Sequence, residues 1–181
     1  QYFSDASCKG LSIVSRKGWG ARSPRRRVPM RPLSAKYVII HHTTGSSCNS
    51  LSTCRNLMKG FQKYHMDTHR WPDIGYSFLV GGDGRIYEGR GWGWEGAHTR
   101  GYNHNGIAIS FIGDFSHKSP NQKMLDAAKK LIVCGVKNGH ISKHYSLHGH
   151  RNANCTSCPG NALYKLIVKW ARFGGNLKKF C

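Results

Sequence analysis

The chain has 181 residues, the length of one domain, and 28 Lys+Arg against 8 Asp+Glu give it a formal net charge of +20. With 39% hydrophobic residues it can bury a core, which excludes a disordered chain. Its longest apolar runs fall far short of the roughly 18 residues of a helical membrane span, so the charge points to a polyanionic partner: nucleic acid, an anionic membrane or a bacterial envelope.

Residues 1–30 read as an irregular N-terminal extension of a single globular unit, with 31–181 as its main domain. Gln1–Gly10 has no apolar stretch of the signal-peptide kind, so the chain reads as the mature form of a secreted protein. Arg16, Lys17, Arg22, Arg25, Arg26 and Arg27, interrupted by Pro24, read as a solvated basic arm, a dedicated polyanion site being the alternative. Tyr37–Ile40 is a buried strand that runs into His41 and His42. Cys48–Cys54 is a short loop, and Asn56–Thr68 an amphipathic helix with Leu57, Met58, Phe61, Tyr64 and His65 at helical spacing. Gly75–Val80 and Arg85–Tyr87 flank Gly81-Gly82-Asp83-Gly84, a hairpin signal. Ile107–Ile112 is another apolar strand, and Asn121–Lys137 a helix with Met124, Ala128, Leu131 and Ile132 on one face. Pro159 is expected to open a last helix, with Leu163, Leu166, Ile167 and Trp170 turned inward. The sum is an α/β fold: a central mixed β-sheet flanked by about three helices.

Seven cysteines, at 8, 48, 54, 134, 155, 158 and 181, suit a secreted, extracellular domain, and the odd number leaves one thiol after internal pairing. The few carboxylates offer no evident pair across a cleft, which speaks against glycosidase chemistry. Histidines are more promising. His41 and His42 end a buried strand, and alternation sends their side chains to opposite faces. His150 and Cys158, with a strand-end His, could ligate zinc and leave a fourth position for water. A rival reading closes His148, His150, Cys155 and Cys158 into one structural metal site. Parity favours Cys158 alone as a ligand, since the other six cysteines can then form three pairs.

Beyond single residues, a set of motifs resembles the peptidoglycan recognition proteins, relatives of the type-2 zinc amidases. The set comprises Gly18-Trp19-Gly20-Ala21-Arg22, Val38-Ile39-Ile40-His41-His42-Thr43, the Cys48 to Cys54 segment, Tyr64-His65-Met66-Asp67 and Asp73-Ile74-Gly75-Tyr76. Tyr87-Glu88-Gly89-Arg90-Gly91-Trp92, Gly96-Ala97-His98, Gly149-His150-Arg151 and Cys158-Pro159-Gly160 complete it. The resemblance implies Zn2+ held by His41, His150 and Cys158. Members that bind without cutting commonly carry Ser at the last of these positions. It implies catalytic roles for Tyr76 and Thr156, and hydrolysis of the amide between N-acetylmuramic acid and L-alanine in innate immunity. It further implies a stem-peptide groove lined by His42, His65, Arg70, Trp71, Arg90 and His98. Arg90 would favour diaminopimelic acid over lysine, because a guanidinium can grip the extra carboxylate.

The dipeptide before Pro72 departs from the family, which has Gly-Trp in diaminopimelate-type members and Asn-Phe in lysine-type members; here it is Arg70-Trp71. The resemblance also implies a Cys48–Cys54 bridge, with Cys8–Cys134 and Cys155–Cys181 as the remaining pairs. The expected partner is bacterial peptidoglycan, with lipopolysaccharide or teichoic acid as further polyanions, no specific nucleic acid, no transmembrane segment, and a monomer. A non-cutting receptor and a cationic direct antibacterial protein are the alternative functions.

Overall fold

The computed structural model describes residues 8–181; residues 1–7, the start of the expected extension, lie outside the described residues. Six strands form one mixed sheet: β1 (Ile13–Val14), β2 (Ala35–His42), β3 (Phe78–Val80), β4 (Ile86–Glu88), β5 (Gly106–Phe111) and β6 (Ile141–Gly149). Their order across the sheet is β1-β4-β3-β5-β2-β6. Only β3 and β4 pair antiparallel, through the expected hairpin; the other neighbours are parallel. Four helices flank it: α1 (Arg16–Trp19), α2 (Leu51–Lys63), α3 (Gln122–Lys137) and α4 (Asn161–Ile167).

The central strands are apolar on both faces because both are covered. Val38 and Ile40 join Phe78, Phe111, Leu131 and Leu163 under α3 and α4. Leu79, Tyr87 and Ile112 pack with Met58 of α2 and with Trp19. The helix starts follow capping chemistry. Ser50 and Thr53 form a reciprocal capping box before α2, and the Asn121 side chain accepts from the Met124 N–H at the start of α3.

Three expectations change. Residues 8–19 are not an irregular arm, whereas residues 21–28 carry no helix or strand and leave Arg22, Arg25, Arg26 and Arg27 exposed, as expected. β1 adds a strand to the sheet edge, Trp19 is fully buried, and Met30 is in the core. Arg16 anchors it on the buried Asp73 at 2.8 Å, and Arg22 reaches Asp67. The first long helix begins at Leu51, so Cys54 lies within it, and it ends in a π turn over Tyr64–Thr68 closed by His69 N–H donating to Tyr64 O. Pro159 does not open the last helix: Gly160, at φ 90°, caps it and α4 starts at Asn161. Three disulfides are present, Cys8–Cys134, Cys48–Cys54 and Cys155–Cys181, and Cys158 is a buried free thiol.

Candidate metal centre and cleft

Parallel strands bring their C-terminal ends to one edge, and the candidate site lies there. β2 and β6 are neighbours with Ile40 opposite Gly149, so the next residues, His41 and His150, fall side by side. Their ring centroids are 4.2 Å apart. Cys158 arrives from the loop after the short 3-10 turn His150–Asn152, and the His42 backbone N–H donates to its Sγ at 3.4 Å. The Thr156 hydroxyl oxygen accepts the Cys158 N–H at 3.1 Å, so Thr156 shapes the turn that presents the sulfur. Ligand atoms of His41, His150 and Cys158 all lie within 4.8 Å of one another.

This donor set fits zinc. Nε2 of His150 lies 2.8 Å from Asn154 Oδ1, and Nε2 of His41 lies 3.0 Å from Thr99 Oγ1. With both Nε2 atoms so partnered, each ring has Nδ1 left for a metal, the arrangement expected of ligating histidines. Burial holds both imidazoles below their ordinary pKa, so they are neutral, as metal ligation requires. Burial pushes the Cys158 thiol up to about 12; a bound cation would displace its proton. The closed four-ligand alternative is excluded. Cys155 is bridged to Cys181, and both ring nitrogens of the buried His148 have partners, Ser146 Oγ and Gly175 O.

The three residues line a cleft of about 420 Å³ whose walls also include His42, His65, His69, Trp71, Tyr76 and His98. Thr156 also lines it. Tyr76 precedes β3 with its ring 5.5 Å from that of His41. Burial raises the phenol to about 12, so it is a hydrogen-bond donor at neutral pH. His65 stands on the π turn and accepts the Gly75 N–H at Nδ1, with its ring 4.8 Å from Trp71. His42 obeys the alternation: its Nδ1 accepts the Phe115 N–H on the α3 and α4 side of the sheet, while its ring still borders the cleft.

Two expected groove residues do not line the cleft. The Arg90 guanidinium bridges backbone carbonyls instead, donating to Ile74 O at 2.7 Å and Glu95 O at 2.8 Å; its Nη2 is buried without a protein partner. Arg70 is exposed, with φ 62°. Conversely, sequence reasoning missed His69, which stacks on Trp71 with centroids 4.6 Å apart. Its helical spacing from His65 was visible, but the π turn that aims it was not. It also missed Thr99 and Asn154, which carry no motif signal of their own.

The N-acetylmuramoyl-L-alanine amidase family model matches residues 31–161. Peptidoglycan-recognition protein SC1a of Drosophila melanogaster is 40% identical over 172 residues, covering 95% of this chain and 92% of that protein. The chain belongs to the peptidoglycan recognition proteins of the amidase-2 family. Among solved structures, Drosophila PGRP-LB superimposes with a TM-score of 0.89 at 43% identity, covering 91% of this chain and 97% of that one. PGRP-LE in complex with tracheal cytotoxin, a monomeric diaminopimelic acid-type peptidoglycan, gives 0.88 at 41% identity over 91% of this chain and 96% of that one. Peptidoglycan recognition is thus the family property this fold carries. No helix among the described residues is long and apolar enough to cross a membrane.

Proposed function

We propose that this peptidoglycan recognition protein is a zinc-dependent N-acetylmuramoyl-L-alanine amidase, secreted from the cell, that seats the stem peptide in the cleft beside His65, Trp71 and His98. The observation that carries this reading is the convergence of His41, His150 and the free Cys158 thiol in the wall of that cleft. When bound, zinc supplies Lewis acidity for the scissile carbonyl and for the attacking water. The chain supplies the rest. His41 and His150 are held neutral and oriented by Thr99 and Asn154. Tyr76, protonated beside them, is placed to donate a hydrogen bond to the oxygen on which negative charge develops. The imidazole and indole faces of His65, His69 and Trp71 give the peptide a wall to lie against.

A preference for diaminopimelic acid stems is part of this reading. It draws on Trp71 and on the ligand of the related PGRP-LE complex; the enclosed Arg90 guanidinium, outside the cleft lining, adds no support to it. Three disulfides suit an oxidising, extracellular setting.

The test is digestion of diaminopimelic- and lysine-type muropeptides by the zinc-loaded chain, with a chelator and with Cys158→Ser as controls. Release of free stem peptide, lost in both controls while muropeptide binding persists, is the expected result. Binding without release from either substrate would make the protein a receptor and end the enzyme reading.

A further inference from the structure

One buried hydroxyl links a candidate metal ligand to the wall of the cleft. Thr99 is fully buried, and its Oγ1 lies 3.0 Å from His41 Nε2 and 2.7 Å from His98 Nδ1. The backbone around it is pinned: the N–H groups of His98 and Thr99 both donate to Asn103 Oδ1, each at 2.8 Å. A hydroxyl has one proton to give. Its two lone pairs could accept from both imidazoles, but that would strand its buried proton, for which no third partner is present among the described residues; donating to one ring and accepting from the other leaves two arrangements. In the first, His41 carries its proton on Nε2 and keeps the Nδ1 lone pair, while Thr99 donates to His98 Nδ1 and His98 is protonated on Nε2. In the second, His98 Nδ1–H donates to Thr99, Thr99 donates to His41 Nε2, and the His41 proton sits on Nδ1. The second arrangement closes the nitrogen that His41 needs for a metal; the first opens it.

We propose that Thr99 is a positioning residue of the metal centre: its hydroxyl holds His41 as the Nε2–H tautomer and thereby fixes His98, on the cleft wall, as the Nε2–H tautomer too. This rests on the zinc reading above. It makes the ligand and a substrate-facing wall residue one hydrogen-bonded unit, so a change of tautomer at either forces a change at the other.

The test compares Thr99→Val, which keeps the shape and removes the hydroxyl, with Thr99→Ser, which keeps the hydroxyl. Cobalt(II) is the probe, read by the visible bands of thiolate-bound cobalt and by competition with a chelator. Thr99→Val is expected to weaken binding by about 10- to 100-fold, the usual effect of losing such an outer partner, and Thr99→Ser to restore most of it. Cobalt held equally tightly by Thr99→Val and the parent chain would overturn the proposal. A second measurement needs no variant: nitrogen-15 spectra of the imidazoles in the zinc-loaded parent. Protons on Nε2 of both His41 and His98 support the proposal, and a proton on His98 Nδ1 overturns it. A parent chain that binds no cobalt removes the zinc reading and the role of Thr99 with it. A parent that binds while Thr99→Val is unchanged removes the role of Thr99 alone.

Discussion

Arg70 shows how a departure from a family pattern acquires a physical meaning. Its φ of 62° is in the left-handed region, where a Cβ costs an ordinary residue about 1–2 kcal/mol. Gly and Asn, the residues expected here from the two family classes, are the two that tolerate that conformation best. The position is therefore constrained by the backbone that turns the chain from the π turn into Trp71, and Arg70 does not line the cleft. Arg70→Gly should raise stability by roughly 0.5–1 kcal/mol, the relieved strain less the added freedom of the unfolded glycine. It should leave the choice between stem peptides unmoved. Urea denaturation and paired muropeptide titrations check both; a destabilised variant, or one that switches stem type, would refute this account.

At the scale of elements, the short N-terminal segment is held by charge as well as by burial. Arg16 bonds Asp73, Gly89 O and Arg22 O at once, tying α1 to the loop before β3 and to the end of β4. Asp73 is almost fully enclosed, with Gln62 Nε2 and the Ile74 N–H as its other partners. Arg16→Ala therefore leaves a buried carboxylate with two neutral donors. The expected loss is roughly 2–4 kcal/mol, near the low end for a broken buried pair because those donors remain. Hydrogen exchange should show β1 and α1 opening first; exchange spread evenly over the sheet would contradict it. That coupling could not be read from the sequence, where Arg16 is one of six basic residues between positions 16 and 27 and Asp73 one carboxylate in a loop. What was legible depended on local signals. The apolar run of β2, the glycine turn between β3 and β4 and the periodicity of α3 each need only neighbouring residues. The candidate metal ligands were legible as residue types that few other roles require, but their meeting depends on the β2–β6 register, which no local pattern encodes. The π turn was invisible for the same reason: one extra residue in a turn changes no periodicity until the chain around it is built.

For the molecule as a whole, two kinds of charge respond to solution conditions in opposite places. Inside, burial lowers the pKa of His65 to about 4 and of His98 to about 3, and lowers those of His41, His148 and His150 as well. The unfolded chain takes up these protons near 6.5 while the fold resists them. Stability is therefore full above pH 6.5 and is lost as the pH falls toward 3–4. The urea midpoint of the metal-free protein should drop steadily from pH 7 to pH 4; a flat profile would show that the buried imidazoles are not held neutral. Outside, most of the positive charge is unpaired, since among the described lysines and arginines only Arg16, Arg22, Arg25 and Arg85 pair with carboxylates. Exposed charges act over about 8 Å at physiological salt and about 3 Å at 1 M. Capture of whole bacteria, whose surfaces are polyanionic, should therefore weaken strongly between low and high salt. On the proposed amidase reading, turnover of a small soluble muropeptide depends on the cleft, where burial holds His41 and His150 neutral, and should change far less. Co-sedimentation and peptide release at matched salt concentrations separate the two. Equal losses would place the work of the surface charge inside the reaction, and unequal losses would confine it to delivery.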